Sequence, residues 1–138
     1  MSDIGMILQR LGQTLVTVVA PRLDGDYSGG HAAMSGLMAT MAGEAWDSAA
    51  DRLFIEIGEM RSLFQQAGLA VNVAEAPSLK ISDLTVERDA LAQHLIDLQG
   101  ALEMRDDEAA HNLNAQIWLH LMQTAQARMP TPPQFISA

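Results

Sequence analysis

The chain contains no cysteine. That excludes a disulfide scaffold, a thiolate zinc site, an iron–sulfur cluster and a cysteine nucleophile, and it suits a cytoplasmic protein. Basic residues are scarce: Lys80 is the single lysine, and eight Lys and Arg face seventeen Asp and Glu, for a formal net charge of −9. A chain this acidic lacks the electrostatic footprint for phosphate backbones or anionic headgroups, so neither nucleic acid nor a membrane surface is expected as a partner. Aromatic side chains number six, so any core must be built from Leu, Ile, Val, Met and Ala. Long apolar runs are missing too. The longest near the start, Leu15 to Ala20, has Thr17 inside it and falls far short of the ~20 residues of a membrane span. Asp3 stands where a secretory signal needs positive charge.

What is present suits a globular domain. At 138 residues and 49% apolar composition the chain is long enough for one domain with a real core, and it is too apolar for a disordered tail. The five prolines, at 21, 77, 130, 132 and 133, leave two long stretches free of proline, and both carry helical period.

In the first segment Ile4, Leu8, Leu11, Leu15 and Val18 step by 4, 3, 4 and 3, one stripe of an amphipathic helix that Pro21 should end. The β-branched run from Val16 to Val19 is read as helix, since a lone strand would have nothing to pair with. From about 31 to 67 the apolar pattern never breaks, running through Met34, Leu37, Met38, Met41, Ala45, Ala49, Leu53, Ile57, Met60 and Phe64 to a capping Gly68. As one straight helix this segment would be about 55 Å long, against a radius of gyration of about 14 Å for a compact chain of this size. It is therefore expected to bend or break near Gly43 or Gly58, or to overhang and meet another chain. A third helix from about Asp83 to Glu103 buries Leu84, Leu91, Leu95, Leu98 and Leu102. A fourth follows an aspartate cap at Asp106 or Asp107 and gathers Ala110, Leu113, Ile117, Leu121 and Thr124, with Trp118 and Met122 on one flank. The expected fold is all-α: a single-domain, up-down bundle of three to four helices over residues 1–129 with one unusually long helix, then an extended Pro-rich tail over 130–138.

Chemical motifs are sparse. Asp24, Asp26 and Ser28 occupy alternate positions of a calcium-type loop, with Gly29 where the turn glycine belongs. Ser35 stands where a bidentate glutamate is needed, and the loop supplies too few oxygens; a solvated turn explains the same residues. Glu108 and His111 form one Glu-x-x-His, the helical spacing that resembles half of a ferritin-like di-iron set, but the second copy is missing and both residues fall on the rim of their helix. His94, His111 and His120, each with a neighbouring carboxylate, are what an acid–base enzyme would have to use. His94 and Glu87, seven apart, share a flank that could reach His120. No cofactor is expected.

Three features of the long helix bear on association or ligand binding. Ala32, Gly36, Ala39, Gly43 and Ala50 line a strip of small residues that lets another backbone approach closely. Met34, Met38 and Met41 form a soft apolar stripe that either fills a core or takes an apolar ligand. Glu44, Asp47 and Asp51 lie together on a polar face that could meet a basic protein surface. The leading expectation is a small non-catalytic assembly protein, a homodimer through the long helix. The alternatives are a bundle that binds an apolar molecule or a metal ion, at the methionine face or the Asp24–Gly29 loop, and an acid–base enzyme.

Overall fold

The computed structural model describes residues 2–23, 25 and 27–135, and all regular structure in them is helical. Helix α1 spans Asp3–Thr14 and runs on through a wider π-helical turn, Leu15–Val19, into one last turn, Ala20–Arg22. Helix α2 is Tyr27–Gln66, α3 is Ile81–Glu103 and α4 is Glu108–Ala127. The all-α bundle expected from the sequence is what forms. The long helix stays helical through both Gly43 and Gly58, so neither glycine breaks it.

Pro21 widens α1 rather than ending it. Proline cannot donate to the carbonyl four residues back, and its ring collides with that carbonyl. The chain opens the turn before it, so that Ala20 N–H bonds Leu15 O, and Thr17 Oγ1 bonds Gln13 O at 2.8 Å. The caps expected at Gly68 and Asp107 form. Gly68 takes φ +68°, with Gly68 N–H on Gln65 O and Leu69 N–H on Phe64 O, the paired bonds of a Schellman end. Asp107 caps α4 by accepting from Ala110 N–H at 2.9 Å.

Contacts group the chain into two units, Met1–Ala49 with Pro130–Ala138, and Ala50–Met129. Helix α2 supplies residues to both. In the second unit, Ile57, Met60, Leu63 and Phe64 of α2 bury against Leu84, Leu91, Leu95, Leu98 and Leu102 of α3 and Ala110 and Ile117 of α4. The α3 seam is the one its spacing predicts. The α4 face is rotated from expectation: His120 is buried and Leu121 is exposed.

The first unit has no such core. Its buried residues, among those described, are Gly5, Gly12, Gly36 and Gly43. A Cβ at Gly36 would lie 2.7 Å from Gly12 O, and one at Gly43 would lie 2.8 Å from Gly5 O. These pairings make α1 antiparallel to the first half of α2, with backbone against backbone.

Two outcomes follow. Gly36→Val pushes α1 off α2, so hydrogen exchange speeds up over residues 3–22 while amides of the Leu91 and Ile117 core keep their protection. In a carboxylate NMR titration, Asp107 titrates below the usual value of about 3.9, because the Arg105 side chain and then Ala110 N–H bond its ionised form. Its folded pKa being the lower, this cap supports α4 above the unfolded value and is lost as pH falls through the folded one; Asp107→Asn removes the titration from the Ala110 amide.

Candidate functional site

The candidate surface of the first unit follows from which side of each helix the glycines claim. At 100° per residue, Ile4 and Leu11 each precede a contact glycine and so sit about 100° round from the α1–α2 seam; Leu8 and Leu15 share that side. On α2, Ala32, Ala39 and Trp46 each follow Gly29, Gly36 or Gly43 by three residues, about 60° round in the same sense. For antiparallel helices those two rotations open onto one side of the hairpin. Ile4 is 46% exposed, Leu11 49% and Trp46 50%. None of these positions is charged.

The other side is already taken. Gln13 follows Gly12 and Glu44 follows Gly43, both rotated the opposite way. Glu44 accepts from Thr131 Oγ1 at 2.7 Å and from Thr131 N–H at 3.1 Å. The tail from Thr131 to Phe135 lines a groove there with Gln9, Gln13 and Thr40.

The predicted strip is therefore divided. Gly36 and Gly43 are covered by α1 of the same chain, Ala32 and Ala39 are half-buried at the margin of the open side, and Ala50 packs against the core of the second unit. Met34 and Met38 are exposed and fill no core, since they lie on the face of α2 opposite its contact glycines; Met41 is half-buried. Of the acidic face, Glu44 holds Thr131 of the tail and Asp47 accepts from Ser2 N–H at 2.9 Å, so two of its three acids are engaged within the first unit.

Among the described residues, the predicted metal and histidine candidates do not converge. Asp24 and Asp26 lie outside the described residues. Ser28 sits inside the first turn of α2 and is exposed. Glu108 is exposed in the first turn of α4, and His111 stands 3.4 Å from Asp106, both in solvent. Among the described residues, no three His, Asp or Glu side chains group closely enough to hold a metal ion.

Two polar side chains are buried in the second unit, Glu87 and His120. Glu87, 6% exposed, accepts from Arg61 Nη2 at 2.6 Å and Nε at 3.0 Å through one oxygen, and from Ala76 N–H at 2.7 Å through the other. Arg61 also donates to Val73 O. Together they strap the 69–80 connector to α2 and α3. The sequence signal was present: the α3 seam skips from Leu84 to Leu91, and Glu87 occupies the vacant heptad position. A charge on a buried seam requires a partner, but that partner, 26 residues away, could not be read from spacing. The expected edge of His94 and Glu87 with His120 does not form: His94 is exposed, and His120 pairs with Glu59 instead.

His120, 5% exposed, places Nδ1 2.8 Å from Glu59 Oε2. This pair is the one histidine–carboxylate contact among the described residues with a buried ring. Beside it, Glu56 is tied to Arg128 at 2.7 Å, and Arg52 Nη1 donates to Ala127 O at 2.8 Å. The carboxylate and guanidinium groups in this area fasten the end of α4. No helix among the described residues is long and apolar enough to cross a membrane.

Comparison with protein-family models, curated proteins and solved structures finds no match.

Removing the strap tests its weight. Glu87→Ala leaves Arg61 and the Ala76 amide without their acceptor and should cost about 2 kcal/mol in urea unfolding, within the range for bonds to charged groups. Glu87→Gln keeps an acceptor for Ala76 and should cost less.

Proposed function

We propose that this protein is a small non-catalytic assembly module, and that a second copy of the chain covers the open side of the α1–α2 hairpin. One observation carries the reading. The Ile4–Leu8–Leu11–Leu15 stripe has the period of a buried helix face, yet Ile4 and Leu11 remain about half exposed because α1 meets α2 through Gly5 and Gly12 instead. A two-helix unit whose contact buries only glycines gains little transfer free energy of its own, so a further apolar layer is what would stabilise it.

A second copy fits by shape and charge. The open side joins a ridge, Ile4, Leu8 and Leu11, to a shallow strip, Ala32 and Ala39. A twofold axis sets each ridge in the other copy's strip, the self-complementarity an isologous contact needs. The side bears no charge, so two chains of −9 can meet there without opposing carboxylates in the contact.

Sedimentation velocity over a range of concentrations tests this. The wild type should sediment as a dimer at micromolar concentration. Leu11→Glu, at a half-exposed position, should fold but weaken association about a hundredfold or more, since each dimer would bury two unpaired charges. A wild-type chain that stays monomeric, or a Leu11→Glu variant that sediments as the wild type does, rejects this surface.

A further inference from the structure

We propose that the cleft between Phe54 and Leu79 in the second unit binds a small, uncharged molecule with an apolar body and one hydrogen-bond acceptor. The cleft is about 380 Å³, within the size range of small-molecule sites. Phe54 and Leu79 wall it and are 62% and 72% exposed, while Ile57 and Leu84 close its inner side. Such side chains gain by being covered with an apolar body.

Three features show a cavity that is held open. Its outer wall is the connector, kept in place by Glu87 on Ala76 N–H and by Arg61 on Val73 O. Without that strap the connector could close on Ile57. The floor is Gly58, in the interior of α2, where nothing lies within 4 Å of a Cβ. Glycine inside a helix is destabilising relative to alanine, and no close neighbour requires it here; its effect is to keep the floor clear. Arg61 also lines the cleft; its Nε and Nη2 are engaged by Glu87 and Val73, whereas Nη1 has no hydrogen-bond partner among the described residues. The two N–H donors of Nη1 are left for a ligand oxygen.

Charge selects the ligand class. Arg61 is balanced by Glu87, and Glu75 also lines the cleft, so the lining has a net negative charge. A carboxylate or phosphate would be repelled, and a cation would lose its hydration against Phe54 and Leu79. A neutral ketone, ester, amide or alcohol with an aryl or alkyl body meets each requirement. This inference is independent of the hairpin surface, and the two can fail separately.

The test uses the full-length ¹⁵N-labelled chain and two probes of nearly equal shape, 4-phenylbutan-2-one and the 4-phenylbutyrate anion. The ketone should give saturable amide shifts centred on Gly58, Ala76 and Leu79, and the carboxylate should bind about tenfold more weakly or worse. A Cβ at Gly58 meets nothing within 4 Å, so Gly58→Leu builds into the open floor and improves helix propensity. It should retain the fold and abolish the ketone shifts, and Phe54→Ala should weaken them. Shifts that rise linearly without saturation, a carboxylate that binds as tightly as the ketone, or unchanged ketone affinity in Gly58→Leu would each overturn the proposal.

Discussion

The architecture of the first unit rests on one contact, the approach of two backbones at Gly12 on Gly36 and Gly5 on Gly43. With glycine at each crossing point, the helices lie closer than leucines there would allow. The apolar side chains of α1 are thereby displaced sideways instead of inward. A helix pair joined through leucines would consume its own apolar stripe; one joined through glycines leaves that stripe on a lateral face. The hydrogen bonds from Thr131 to Glu44 then place the tail on one lateral face and leave the other open.

The second unit solves the opposite problem. Its core is a leucine seam on α3 packed on Ile57, Met60 and Phe64 of α2 and Ile117 of α4, and it satisfies the burial its pattern calls for. The one charge admitted to that seam, Glu87, takes a guanidinium from α2 and an amide from the connector. An acid in a leucine seam costs more than an apolar residue unless every lone pair finds a donor. Here the donors come from a segment without regular structure, so that segment acquires a fixed course. The cleft beside Gly58 exists because the connector is held at that distance from α2.

The two units thus handle apolar surface differently, and the proposed roles follow from that difference. One retains a charge-free face that suits a second copy, and the other encloses a cleft sized for a small neutral molecule. The His120–Glu59 pair and the Glu56–Arg128 pair belong to the fastening of α4 to α2. They bring carboxylates and an imidazole together without assembling a metal cage from the described residues.

Composition and period by themselves determined a good deal: an all-helical chain, the extent of α2, the leucine seam of α3, the Gly68 end and the Asp107 cap. These are local properties, set by propensity, spacing and capping within a few residues. The tertiary structure alone decided which apolar stripe is covered. Periodicity marks Ile4, Leu11, Met34 and Met38 as a buried face as firmly as it marks Leu91 and Leu95, but burial depends on what lies opposite. Gly5 and Gly12 won that position on α1 because only they admit the backbone of α2. Partnerships distant in sequence were likewise beyond reach of spacing: Arg61 for Glu87, Glu59 for His120 and Glu44 for Thr131 are joined by packing, and packing is a property of the whole chain.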